Sequence, residues 1–246
     1  MTKIIEFYRG FLTLFAIALI AVGALFITYF IFPFNKTKAD KYKTLQKSWE
    51  LYISILYGLR IMNIKSDDIE KIKNIKNSII VSTHPSLLDI VILMSIIPNS
   101  TCFVAEKLAR NPFFKGIIKQ LFIVEGQPLE QWVDDACNKL NNGLNIIIFP
   151  MGGRHYKYEQ PRIHRGASYL AYKSKKDIVV LKIESSYEFL QKHRPAYYAD
   201  NKTVEYTIKY IDVFNTKEYL EQNTDEVTVK TNITKYISQK LYNKEV

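Results

Sequence analysis

Twenty-four consecutive residues without a charge, FLTLFAIALIAVGALFITYFIFPF from Phe11 to Phe34, limit what this chain can become more than any other feature. Wound as an α-helix at ~1.5 Å per residue, the stretch reaches roughly 35 Å, enough for a ~30 Å hydrocarbon core. A signal peptide is the competing reading, but its apolar region runs to only ~7–15 residues. No small-x-small cleavage site precedes the charged stretch that follows either. The segment is therefore read as a membrane anchor, which divides the chain into residues 1–40, the anchor, and residues 41–246, one folded domain. Lys36, Lys38, Lys41, Lys43 and Lys47 follow it, against Lys3 and Arg9 before it. The positive-inside bias then puts the domain on the cytoplasmic side of the membrane. With positive charge on both flanks, a helix lying in one leaflet, or a re-entrant one, also fits the sequence. In every arrangement the domain faces lipid headgroups.

A chain of 246 residues with 48% hydrophobic and 24% charged side chains can bury a sizeable core, so wholesale disorder is excluded. Its net charge of +10 points to an anionic partner, either nucleic acid or a surface of acidic lipids. The lysines are scattered, and no zinc, helix-turn-helix or RNA-binding signature accompanies them, so nucleic acid is set aside. Cys102 and Cys137 stand far apart and outside any Cys-x-x-Cys or Cys/His cluster, which reads as two free thiols in a reducing compartment. There is no internal repeat, and no Pro/Gly/Ser linker divides residues 41–246.

Within that region four short β-rich runs stand out: Ser78 to Thr83, Thr101 to Ala105, Leu144 to Phe149 and Ile178 to Ile183. Helical patterns follow them over Leu87 to Ile96, Pro112 to Gln120, Leu129 to Asn141 and Arg165 to Ser174. Alternation of this kind predicts an α/β fold, a mainly parallel central sheet flanked by helices. Ahead of it, apolar residues at helical spacing (Leu45, Trp49, Tyr52, Ile53, Leu56, Leu59) predict an amphipathic helix over Lys41 to Met62. Lys65 to Lys76 reads as a charged connection, Val204 to Val213 as an alternating, edge-like strand, and Lys217 to Tyr242 as a polar closing helix.

Two clusters carry chemistry. In SIIVSTHPSLLDIVILMS a buried-type strand stops just before His84, and Asp89 follows five positions on. His-x4-Asp spacing alone says little, and a lone histidine is more often a hydrogen-bonded structural residue than a catalyst. Position changes this, because ligands of open parallel sheets bind outside the carboxyl ends of the strands. Pro85 fits the first turn of a helix, which places Asp89 about one turn in, within reach of the imidazole. Neutral His84 could then take a proton from an attacking hydroxyl while Asp89 holds the other ring N–H and stabilises the imidazolium. Neighbouring Ser86 lacks the Gly-x-Ser-x-Gly surroundings of a covalent nucleophile.

The second cluster, NIIIFPMGGRH, again begins where a strand stops. Gly152 and Gly153 let the backbone approach an anion closely, and Arg154 offers a planar fork for phosphate. A Gly-Gly turn with a solvated arginine is the plainer alternative, and the Gly-x4-Gly-Lys-Ser/Thr pattern of a P-loop is missing.

Taken together these residues resemble the glycerolipid acyltransferase family, which includes the lysophosphatidic acid acyltransferases. THPSLLD resembles the family's His-x4-Asp block, with Thr83 where Asn is common. FVAEKLARNPFFKGIIKQLFIV, Phe103 to Val124, resembles the second block, FPMGGRH the third (usually Phe-Pro-Glu-Gly-Thr-Arg-Ser), and IVVLKIE, Ile178 to Glu184, the fourth. The order and approximate gaps match over residues 78 to 184, and RGASYLAY adds a familiar helix between the last two blocks.

The resemblance implies a membrane-bound O-acyltransferase in which His84 is the base and Asp89 its assistant. A lipid hydroxyl would attack the thioester of acyl-CoA or acyl-carrier protein directly, with no acyl-enzyme, no metal and no cofactor beyond that co-substrate. Membrane lipids and the acyl donor are the implied partners. Arg154, Gly152 and Gly153 would bind an acceptor phosphate, and Lys107 and Arg110 are further candidates from the second block. Met151 replaces the third block's acidic residue, Gly153 its Thr, and Val180 the fourth block's Pro. These departures weaken the expectation that the acceptor is ordinary lysophosphatidic acid. They also keep open a non-catalytic, membrane-anchored lipid- or carrier-binding relative.

Overall fold

The computed structural model describes residues 2–126, 128–155, 161–192, 194–223 and 225–242. It begins with helix α1 (Thr2–Phe26), one π-turn (Ile27–Ile31) and a short 3-10 turn (Phe32–Phe34). Pro33 has no N–H to give, and the Phe32 N–H reaches back to the Ile27 carbonyl, so the helix widens and then stops. Helix α2 (Lys38–Gly58) starts on a capping box in which Thr37 Oγ1 accepts from Asp40 N and Asp40 Oδ2 accepts from Thr37 N, at 3.1 and 3.0 Å.

The remaining elements run β1 (Met62–Lys65), α3 (Ile69–Lys73), β2 (Ile79–Ser82), α4 (Asp89–Ile96), β3 (Ser100–Val104), α5 (Glu106–Ala109), α6 (Lys115–Leu121) and β4 (Ile123–Val124). They continue through α7 (Leu129–Asn141), β5 (Asn145–Ile148), α8 (Gly166–Ser174), β6 (Ile178–Ser185), β7 (Val204–Phe214), α9 (Thr216–Gln222) and α10 (Glu226–Tyr242).

The seven strands form one sheet in the order β1-β7-β6-β2-β5-β3-β4. Every neighbouring pair is parallel except β6 with β7. Side chains alternate along β2: Ile79 and Val81 join the core under α7, α8 and α10, whereas Ile80 joins the core under α2, α4 and α6. Such a strand is buried on both faces, which is why it reads as an unbroken apolar run. The mainly parallel, helix-flanked α/β sheet expected from the sequence is what the chain forms.

Several local expectations need correction. β7 is not an edge strand, because β1 pairs with its outer side. Its alternation (Val204, Tyr206 and Ile208 buried) reports a sheet with one covered face, not an edge. β1 and β4, four and two residues long, are too short to carry a periodicity. The helix expected from Pro112 starts only at Lys115, because Asn111 Oδ1 accepts from Phe113 N and holds a turn before it. The closing helix is two helices, and the second restarts where Asp225 Oδ2 accepts from Thr228 N at 2.8 Å.

The apolar N-terminal helix does not stand away from the domain. At its start Arg9 donates to the carbonyls of Asp200 (2.9 Å) and Lys202 (2.8 Å). Midway, Tyr52 of α2 donates to the Ala16 carbonyl at 3.1 Å. At its end, a Cβ added to Gly116 of α6 would lie 2.4 Å from Thr28 Cγ2. These anchor points span about 28 Å of helix. The outer face carries Phe7, Phe11, Phe15, Phe26, Phe30 and Phe34, all exposed. Gly116→Val is expected to push the β-branched Thr28 off α6, destabilising the fold by about 1–3 kcal/mol, or about 3–10 °C in thermal midpoint. An unchanged midpoint in detergent would mean that the helix is not held there.

Candidate active site

Four neighbouring parallel strands, β2, β5, β3 and β4, end at one side of the sheet, and the chain leaving each contributes to one cleft of about 550 Å³. His84 comes after β2, Phe149, Pro150, Gly152, Gly153 and Arg154 after β5, Ala105 after β3, and Glu125 and Gly126 after β4. Phe103, Trp132, Ile148, His164, Gly166, Ala167 and Lys192 complete the wall.

The loop after β2 is built to hold the imidazole. Thr83 Oγ1 donates to the Ile183 carbonyl at 2.7 Å and accepts from Ile183 N at 2.8 Å, so this side chain extends the β2–β6 ladder to the residue before His84. Asp89 is fully buried, and its Oδ2 lies 2.8 Å from His84 Nδ1 and accepts from Ser86 N at 2.7 Å. Pro85 and Asp89 differ in detail from expectation. Pro85 lies in the loop, and Asp89 is the first residue of α4 rather than one turn in. The cause is a turn over residues 86–89, in which Ser86 Oγ accepts from Leu88 N and the Ser86 carbonyl from Asp89 N.

An ionised Asp89 makes Nδ1 the protonated ring nitrogen and leaves Nε2 basic. The ring stacks on Phe149, centroids 4.0 Å apart and planes 11° from parallel, which fixes its orientation. Burial pushes the Asp89 carboxyl upward, and the His84 bond and charge, the Ser86 N–H and the Arg154 charge pull it back. Ser86 is buried, its Oγ accepts from Tyr206 Oη at 2.7 Å, and it is not part of the cleft wall.

The loop after β5 meets the same centre. Arg154 Nη1 donates to the Leu190 carbonyl at 2.6 Å, and that carbonyl also accepts from Leu87 N at 3.2 Å. One backbone oxygen thus ties the arginine to the histidine loop, and Leu190 presents it from a left-handed conformation (φ 52°). Burial works against the guanidinium charge, and Asp89 supports it. Gly152 has φ 72°, and a Cβ there would lie 3.2 Å from His164 Nε2, so glycine serves both the turn and the approach of that ring. A Cβ on Gly153 would meet open space.

His84, Asp89, Arg154, Gly152 and Gly153 are therefore brought together. Lys107 and Arg110 are not: Lys107 is on α5 and Arg110 caps its C-terminus, neither is in the cleft wall, and Arg110 pairs with Glu106 at 2.5 Å. Met151 packs into the core under α7 and α8, so the position of the family's acidic residue contributes no side chain to the cleft. Val180 falls at a register irregularity between β6 and β7, the kind of site where a strand tolerates proline. Sequence reasoning missed Glu125, Trp132, His164, Lys192 and Leu190. Glu125 stands one residue beyond the second block, and nothing local marks the others.

Residues 63–184, about half of the chain, match the acyltransferase family model. This chain belongs to the acyltransferase family. All of the cleft except Lys192 lies inside the matched region, so the acyltransferase domain and the candidate site coincide. No curated protein matches the chain. Among solved structures, the 1-acyl-sn-glycerophosphate (LPA) acyltransferase PlsC from Thermotoga maritima is similar, with a TM-score of 0.70 and 18% identity. The alignment covers 97% of this chain and 95% of that one. The likeness extends the shared fold beyond the acyltransferase domain to nearly the whole chain, the N-terminal helix included.

Proposed function

We propose that this acyltransferase moves an acyl chain from acyl-CoA or acyl-carrier protein to a hydroxyl of a lysophospholipid or related lipid acceptor, at a membrane surface. The observation that carries this reading is the His84 Nδ1–Asp89 Oδ2 contact of 2.8 Å in a cleft shared with Arg154. His84 Nε2 removes the proton of the acceptor hydroxyl as its oxygen attacks the thioester carbonyl. The tetrahedral intermediate collapses with loss of the thiolate, which takes the proton back from the imidazolium. Asp89 holds the tautomer and offsets the transient ring charge. Arg154, with the open backbone at Gly152 and Gly153, holds an anionic group of the acceptor. The altered third block, which favoured a non-catalytic relative, leaves these charged groups in place.

Membrane attachment is assigned to α1. A helix held against the domain from Arg9 to Thr28 has only its outer face for lipid, which favours insertion into one leaflet over a full crossing. The basic balance of the chain adds attraction to the anionic headgroups of a cytoplasmic leaflet, which favours that face for the domain. The test uses the full chain in mixed micelles with acyl-CoA and acyl-carrier protein and a panel of lyso-lipids, with products read by mass spectrometry. Acylated product from at least one acceptor is expected. No product with either donor would overturn the function.

A further inference from the structure

The cleft has two electrically different ends. At one, His84 and Arg154 leave β2 and β5 on loops that share the Leu190 carbonyl, and Lys192, two residues beyond Leu190, also lines the cleft. At the other, Glu125 leaves β4, where its backbone N–H bonds the Val104 carbonyl at 2.8 Å and fixes it at the mouth of the sheet. β5 and β4 are two strand spacings apart, about 10 Å. Glu125 is solvent-accessible, but the surrounding protein raises its carboxyl above the usual range, opposed only by the charge of His164. Phe103 pairs in register with Ile123, two residues before Glu125, and Trp132, which lines the cleft, packs edge-on to Phe103, ring centroids 5.0 Å apart.

We propose that Glu125 and Trp132 form a subsite for an ammonium group, so that the acceptor is a lysophospholipid with an amine-bearing headgroup rather than a bare phosphomonoester. A carboxylate beside an indole attracts a cation by charge and by the ring's negative face. Arg154 and Lys192 take the phosphate, and the amine lies a few atoms further along the cleft at Glu125. A bare phosphomonoester would leave the Glu125 carboxylate facing the cleft with no partner of opposite charge on the ligand, and would add its own second negative charge to the site. This placement also explains why the chain tolerates Met151 buried in the core: the cleft has its carboxylate from β4 instead of from the third block.

The inference rests on the proposed acyl transfer, and its test separates the two. The full chain in mixed micelles is given lysophosphatidylethanolamine and lysophosphatidic acid, each with acyl-CoA and with acyl-carrier protein. The ratio of kcat/KM for the first acceptor to that for the second is expected to exceed ten. In Glu125→Gln that ratio drops by roughly tenfold to a hundredfold, and Glu125→Lys inverts the preference. A wild-type preference for lysophosphatidic acid, or an unchanged ratio in Glu125→Gln with product still formed, would overturn the subsite and leave the acyltransferase reading standing. No acylation of either acceptor by the wild-type chain would overturn both.

Discussion

Replacing His84 by alanine is expected to lower acyl transfer by roughly 10²–10⁴-fold, the range for loss of a positioned general base, while the protein stays folded. The loss falls on kcat more than on KM, because Nε2 acts on the reacting proton and Arg154 still holds the acceptor. Folding survives because the ring is at the cleft surface, its side chain 16% exposed, with the loop held independently by Thr83 on β6 and by the Leu190 carbonyl on Leu87 N. The stacking on Phe149 is lost, which costs about 1 kcal/mol. A paired measurement of rate and thermal midpoint separates the outcomes. Full activity in His84→Ala would remove the histidine from the chemistry, whereas a collapsed midpoint would make it structural.

Asp89→Asn is expected to lower the rate by roughly 10³–10⁴-fold. Asparagine carries no charge to offset the imidazolium, and an amide nitrogen at the Oδ2 position would donate to His84 Nδ1 and force the ring proton onto Nε2. Stability should move in the other sense with pH. Burial raises the Asp89 carboxyl above its ordinary value of 3.8, so between that value and the folded-state value the native protein binds more protons than the unfolded chain. The corresponding stability is full below about pH 4 and is lost as pH rises through the folded value. Asparagine does not titrate. The stability of wild type relative to Asp89→Asn should therefore fall as pH is raised above about 4, which melting curves at several pH values report. A difference that grew with pH would mean that the His84 pairing outweighs burial and that the carboxyl lies below 3.8.

How much of this was legible in the sequence follows from what each feature depends on. β2, β3, β5 and β6 were visible because strands buried on both faces read as apolar runs, and α7 was bounded correctly from its repeat. His84, Asp89 and Arg154 could be read because each lies within a few residues of a strand end, so sequence distance approximates spatial distance. The Leu190 carbonyl, Lys192 and His164 reach the cleft through long connections, which local pattern does not encode. Lys107 and Arg110 show the converse: they follow a cleft strand closely, yet both are exposed and lie outside the cleft wall. The docking of α1 was also hidden, since an apolar helix reads alike whether lipid or protein covers one side.

Direct attack by a lipid hydroxyl under the control of His84 is tested by thiol release from an acyl-thioester with and without acceptor, with intact-protein mass recorded alongside. Release should depend on the lyso-lipid, and the protein mass should stay that of the unmodified chain throughout. Release without acceptor accompanied by a mass increase equal to the acyl group, lost in Ser86→Ala, would contradict the claim and establish an acyl-enzyme in its place.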